Sequence, residues 1–124
     1  MSDSSSSQKR VLVVDDNVIN RRLAIAFVSR LGYSTDQAED GPGALAKLDA
    51  EPFNIVLLDI SMPGMSGEEV LAHIRADGRF GGLRVIAYTA HALPEEKQRL
   101  IEAGFDDLLI KPITLGAVES VLQA

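Results

Sequence analysis

Polar residues stand directly behind apolar runs at four places: Asp15-Asp16-Asn17 after Val11 to Val14, Asp59 after Ile55 to Leu58, Thr89 after Leu83 to Tyr88, and Lys111-Pro112 after Leu108 to Ile110. If those runs are parallel strands of one sheet, the clusters meet at its carboxyl edge, where open α/β sheets bind ligands. Carboxylates crowded there repel, a pair about 4 Å apart costing ~4 kcal/mol at an effective dielectric of about 20. A hard divalent cation removes that cost. Mg2+ suits best, because it takes oxygen ligands, keeps several waters and completes its shell with phosphate oxygens. The Thr89 hydroxyl, with small Ala90 leaving room beside it, and the Lys111 ammonium could each neutralise one phosphoryl oxygen. Asp59 is then placed as a nucleophile toward phosphorus.

Each cluster also has a plainer reading. Asp15-Asp16-Asn17 suits a turn and helix N-cap, Asp59 could fix its loop, Thr89 is unremarkable at a strand end, and most lysines face solvent. Lys111-Pro112 is more specific, because X-Pro is the common route to a cis peptide and can aim a lysine inward. The four together favour a site. Asp59 also opens the stiff loop Ile60-Ser61-Met62-Pro63-Gly64-Met65-Ser66-Gly67, with Ser66 as a cap.

Positioning those groups requires alternating elements, and the sequence supplies them. Strand-like runs at Val11 to Val14, Tyr33 to Ala38, Ile55 to Leu58, Leu83 to Tyr88 and Leu108 to Ile110 alternate with helical patterns. The helices fall at Ile19 to Leu31, Gly43 to Leu48, Glu68 to Ile74, Pro94 to Ala103 and Leu115 to Leu122. The pattern predicts an α/β fold: a doubly wound, five-stranded parallel sheet in the flavodoxin-like order 2-1-3-4-5, its inner strands covered on both faces. That order makes the first and third strands neighbours and brings Asp15, Asp16 and Asp59 to one crevice. Gly32 and Gly104 follow helices as left-handed caps do. Pro94 with Glu95 and Glu96 fits a first turn, and Thr114 is a plausible N-cap. Residues 1–9 are Ser-rich and read as a disordered leader or linker, leaving 10–124 as the domain.

With 124 residues, 46% hydrophobic and 24% charged, the chain has enough apolar material for a core. Its net charge of −6 argues against direct nucleic-acid binding. Zero cysteines exclude disulfides and are compatible with a reducing compartment. No run approaches a membrane span and no signal peptide opens the chain, so the expected location is the cytoplasm.

The span from Arg10 to about Leu122 resembles the receiver domain of two-component response regulators. The likeness rests on the acid pair, the Asp-x-x-Met-Pro-x-Met-x-Gly loop from Asp59 to Gly67, Thr89-Ala90 and Lys111-Pro112, in matching order and spacing. The resemblance implies that Asp59 accepts a phosphoryl group from a phosphohistidine. It implies that Asp16, Asp59 and the Ser61 carbonyl ligate Mg2+, that Asp15 acts largely through water, that Thr89 and Lys111 bind phosphoryl oxygens, and that Lys111-Pro112 is cis. Such a domain is not an enzyme acting on a separate substrate, but a switch that catalyses its own phosphorylation and dephosphorylation. Ser61 and His91 occupy positions that in the family influence how fast water removes the phosphoryl group. Many receivers carry Tyr or Phe three residues before the lysine; here Leu108 stands there, which separates the chemistry from the usual aromatic switching.

A histidine kinase or histidine phosphotransfer domain is the implied donor. The helix after Asp16 carries more apolar residues than one buried face needs, among them Val18, Ile19 and Ile25, so part should be exposed and, rimmed by Arg21 and Arg22 and near the Pro112 loop, suit a helical partner. Leu23, Phe27 and Leu31 are the expected core stripe. Asp-Asp-Asn-x-x-Asn-Arg and Lys-Pro-Ile look like receivers of hybrid histidine kinases and phosphorelays, so the chain reads as a single-domain regulator or a piece of a hybrid kinase. A haloacid-dehalogenase-like phosphatase would carry Asp-x-Asp after its first strand, a pseudo-receiver serving as a binding module would have lost part of the site, and a flavin carrier would want Ser/Thr/Gly-rich phosphate turns.

Overall fold

The computed structural model describes residues 9–90 and 93–123, and within them strands and helices alternate as the apolar runs require. The strands are β1 (Arg10–Val14), β2 (Ser34–Ala38), β3 (Ile55–Asp59), β4 (Arg84–Thr89) and β5 (Asp107–Ile110). The helices are α1 (Val18–Arg30), α2 (Gly41–Ala50), α3 (Gly67–Ala76), α4 (Pro94–Ala103) and α5 (Leu115–Gln123). All strand pairs are parallel and the order is β2-β1-β3-β4-β5. One short element escaped the sequence reading, a 3-10 turn at Gly78–Phe80 that follows α3 and is too brief to show a period.

Side chains alternate across this sheet and divide the core in two. Leu12, Val14, Val56, Leu58, Val85 and Ala87 pack with residues of α2, α3 and α4. Val11, Val13, Ile55, Leu57, Ile86 and Tyr88 pack with residues of α1 and α5. Covering on both faces is why these runs are apolar throughout. Asp15 and Asp59 sit two residues beyond Val13 and Leu57, and Lys111 two beyond Leu109, so all three continue the parity of the α1/α5 face. Thr89, two beyond Ala87, continues the other.

Helix ends follow their predicted chemistry. Thr114 Oγ1 accepts from Ala117 N at 3.1 Å, and Gly104 closes α4 at φ 118°, a conformation that glycine adopts without steric penalty. Ser66 and Glu69 form a reciprocal capping box at the start of α3. α4 has Pro94 in its first turn and buries Leu100, while Leu93 before it and Ile101 within it are exposed.

Helix α1 departs from expectation. Its buried residues are Ala24 and Val28, not the Leu23-Phe27-Leu31 stripe. Leu23 is 40% exposed, while Phe27 and Leu31 are partly buried against the α1/α5-side core. Small Ala24 and Val28 let the helix backbone approach the sheet, and the bulkier residues are rotated to its flanks. The expected surplus of exposed apolar residues is present, with Val18 44% and Ile19 67% accessible.

Gly67 is set by close approach. A Cβ there would lie 2.5 Å from the Asp59 carbonyl oxygen and 2.9 Å from Ile60 Cα, both main-chain atoms that cannot step aside. Gly67→Ala is therefore expected to destabilise the fold by roughly 1–3 kcal/mol, measured as a lower midpoint in urea unfolding.

Candidate functional site

The crevice beyond the carboxyl ends of β1, β3, β4 and β5 is built from loops that hydrogen-bond to themselves. Asp15 is fully buried, and its Oδ1 accepts from Asn17 N at 2.9 Å. Asn17 then caps α1, its Oδ1 accepting from Asn20 N at 2.9 Å. The plain capping role is thus real and falls to Asn17, which leaves the two acids for the crevice. Asp59, also buried, receives Ser61 N on Oδ1 at 3.1 Å. Ile60 N donates to Tyr88 O and Gly67 N to Ile60 O, both at 3.2 Å, fastening the loop after Asp59 to β4 and closing it on itself.

Lys111 reaches in from β5. Its Nζ lies 3.2 Å from Asp59 Oδ1 and 3.9 Å from Asp15 Oδ2. Its main-chain N donates to Thr89 O at 2.8 Å, and the peptide to Pro112 is cis. Thr89 is buried and Ala90 exposed. Carboxylate oxygens of Asp15, Asp16 and Asp59 all lie within 4.8 Å of one another, with Asp16 the exposed member. The crevice therefore gathers Asp15, Asp16, Asp59 and Lys111 at one point, with Thr89 at the neighbouring strand end. Ser61 is exposed beside Asp59. His91 lies outside the described residues. Leu108 is partly buried against the α2–α4 side of the core, opposite Ala87 across the β4–β5 ladder.

Electrostatics mark this as a place for a cation. Burial, and after it the neighbouring Asp59 charge, push the Asp15 carboxyl up to about 6 against the opposing pull of Asn17 N–H and Lys111. Asp15 Oδ2 is buried without a hydrogen-bond partner among the described residues. A buried carboxylate oxygen left so beside two further acids fits a hard cation, and the all-oxygen donor set suits Mg2+.

Two residues that the sequence reading did not assign to this site also shape it. Tyr88 floors the crevice, its ring centroid 4.5 Å from Lys111 Nζ, and its hydroxyl is pushed up to about 12 by burial and by the charges of Asp15 and Asp59. In the sequence it is the last letter of an apolar run; its parity with Ile86 was the available signal. Arg21 was assigned to the rim of the exposed α1 patch. Its side chain also engages the acid loop and β2: Nη1 donates to Asp15 O at 2.8 Å and Nε to Gln37 Oε1 at 2.6 Å. Arg22 remains exposed beside the patch.

Comparison with known proteins agrees with this geometry. The chain is 44% identical over 119 residues to the sensor histidine kinase RcsC of Escherichia coli strain K12, an alignment spanning 96% of this chain. It is 39% identical over 113 residues to the sensor protein GacS of Pseudomonas syringae pv. syringae, spanning 89% of this chain. It covers 12% of the length of each. Among solved structures, the chemotaxis protein CheY4 of Vibrio cholerae superposes with a TM-score of 0.88 at 29% identity, covering 94% of this chain and 98% of that one. The receiver domain of sensor histidine kinase PA1611 from Pseudomonas aeruginosa PAO1, solved with a magnesium ion in its active-site cleft, superposes with a TM-score of 0.85 at 28% identity, covering 94% and 96%. The response regulator receiver domain family matches residues 11–123, and with Asp59 behind the third strand and not the first, a dehalogenase-like phosphatase is set aside. A sheet of this order, with acids and a lysine gathered at its carboxyl edge, belongs to that family, and this chain is a receiver domain of two-component signal transduction.

Proposed function

We propose that Asp59 is the phosphoacceptor of this domain, with a phosphohistidine of a histidine kinase or histidine phosphotransfer domain as donor. The observation that carries the reading is the Lys111 ammonium 3.2 Å from Asp59 Oδ1, beside the buried Oδ2 of Asp15, which has no hydrogen-bond partner among the described residues. Asp15, Asp16, Asp59 and the Ser61 carbonyl would hold Mg2+, which when bound screens negative charge between the carboxylates and the incoming phosphoryl group. An Asp59 carboxylate oxygen forms the new P–O bond as the N–P bond of the donor breaks, its electron pair returning to the imidazole. Lys111 and the Thr89 hydroxyl take phosphoryl oxygens, with Ala90 leaving them room. Ser61, exposed beside Asp59, and His91, by its sequence position two residues after Thr89, are assigned to setting how fast water removes the group. These residues thus catalyse both phosphotransfer and hydrolysis.

Residues 10–124 make up this unit, and the domain works in the cytoplasm within or beside a hybrid kinase. Among the described residues no helix is long and apolar enough to cross a membrane. Docking uses the exposed Val18, Ile19 and Leu23 patch of α1 with the neighbouring Pro112 loop. Ile19→Glu is expected to slow transfer from a phosphorylated histidine phosphotransfer protein about tenfold, because it puts a charge into the centre of an apolar contact. Labelling by acetyl phosphate with Mg2+, which needs no protein partner, should be unchanged; equal losses with both donors would refute the docking assignment.

Switching proceeds without a buried ring, since Leu108 takes the place of the usual aromatic. Beryllofluoride is expected to shift amide resonances at Thr89, Leu93 and along α4 in the parent and in Leu108→Ala alike, and absence of those shifts in the parent would contradict it.

A further inference from the structure

We infer that Arg21 is a positioning residue for the acid pair, acting through the backbone of Asp15 and not as part of the partner-docking surface. This rests on the assignment of Asp15, Asp16 and Asp59 to a Mg2+ site. β1 ends at Val14, and Asp15 N makes the next contact of the ladder, donating to Ala38 O at 3.2 Å. The Asp15 carbonyl accepts from Arg21 Nη1 at 2.8 Å. Holding this oxygen holds the whole Asp15–Asp16 peptide plane, because the unit is rigid. The plane sets where both carboxylates begin, and it matters more for Asp16, which is exposed and lacks the burial that fixes Asp15.

The clamp has a second prong. Arg21 Nε donates to Gln37 Oε1 at 2.6 Å, so the guanidinium spans from the acid loop to the edge strand β2. Arg21 is itself held in place, its backbone N donating to Asn17 O at 2.9 Å in the first turn of α1. A planar fork can serve two acceptors in fixed relation, which a lysine's point charge cannot. One side chain therefore links the acid loop, α1 and β2.

The test titrates Mg2+ into the metal-free parent and into Arg21→Gln, Arg21→Lys and Gln37→Leu by calorimetry, with acetyl phosphate labelling of Asp59 followed against Mg2+ concentration. Arg21→Gln is expected to weaken Mg2+ binding about tenfold, as loss of a group that orients metal ligands does. Arg21→Lys should recover little of this, and Gln37→Leu should weaken binding less, adding nothing further to Arg21→Gln. Labelling of all variants should reach the parent level at saturating Mg2+. An affinity for Arg21→Gln within about twofold of the parent, or full rescue by Arg21→Lys, would overturn the inference. If the parent itself bound no Mg2+, the metal-site assignment would fall and this inference with it, whereas normal parent binding with unchanged variants would remove the Arg21 role alone. Since acetyl phosphate needs no docking, a defect confined to protein donors would return Arg21 to the partner surface.

Discussion

Asp59→Asn is expected to reduce labelling by acetyl phosphate and Mg2+ to background, with no borohydride-trapped adduct at that position in a peptide map. An amide oxygen is isosteric with the carboxylate but lacks the charge and the lone-pair basicity that attack on phosphorus requires. The fold should survive, because the change relieves the repulsion between buried Asp15 and Asp59 while Ser61 N retains an acceptor on the side chain. Circular dichroism and an unchanged or raised melting temperature would establish that the lost labelling is chemical. An adduct of undiminished yield in Asp59→Asn, or one mapped to Asp15 or Asp16 in the parent, would overturn the assignment.

Removal of Asp15's charge should have the opposite effects on stability and on metal binding. In the metal-free protein the folded-state value of Asp15 is raised from 3.8 to about 6, first by burial and then by Asp59. The folded state thus holds a proton more tightly than the unfolded chain. The stability this contributes is full below about pH 4 and is lost as pH rises through about 6. Without divalent cations, this group should lower the melting temperature between about pH 4 and 7, and Mg2+ should restore it at pH 7.5 but far less at pH 4.5, where the carboxyl is protonated. Asp15→Asn should flatten that dependence and raise the metal-free melting temperature at pH 7.5 by roughly 3–6 °C. Its stabilisation by Mg2+ should shrink at the same time. Thermal scans of both proteins with EDTA and with Mg2+ check this, and a metal-free Asp15→Asn melting below the parent at pH 7.5 would contradict it.

The chain disclosed its sheet order and the position of its crevice because strands covered on both faces must be apolar throughout, leaving the first polar residue after each run as a marker of the carboxyl edge. Val11 to Val14 ending at Asp15 and Ile55 to Leu58 ending at Asp59 show this most clearly. Helix α1 was less legible: Leu23, Phe27 and Leu31 keep helical spacing as well as Ala24 and Val28 do, and only the distance between helix and sheet decides which stripe goes inside. The resemblance assigned Asp15 and Asp16 different roles, but that Asp15 is buried and Asp16 exposed was hidden, since adjacent identical residues point opposite ways and the sequence does not say which turns inward. Arg21 could not be placed because a long side chain on an exposed helical position can turn to solvent or fold back over several residues, and its acceptors, a carbonyl and Gln37, leave no pattern in the sequence.

Helix α4 carries a consequence for how the molecule breathes. It buries Leu100, and side-chain bonds tie it to α3, Arg99 Nη1 to Glu68 Oε2 at 2.6 Å and, at the Gly104 cap that ends it, Arg75 Nη2 to Gly104 O at 2.9 Å. Those exposed polar ties resist local opening weakly compared with the buried strands. Amide hydrogen exchange should therefore be faster along α4 than in β1, β3 and β4. Since α3 begins at Gly67, pressed against the Asp59 carbonyl, its exchange rate would register small displacements at the acceptor loop as changes in protection on the far side of α3.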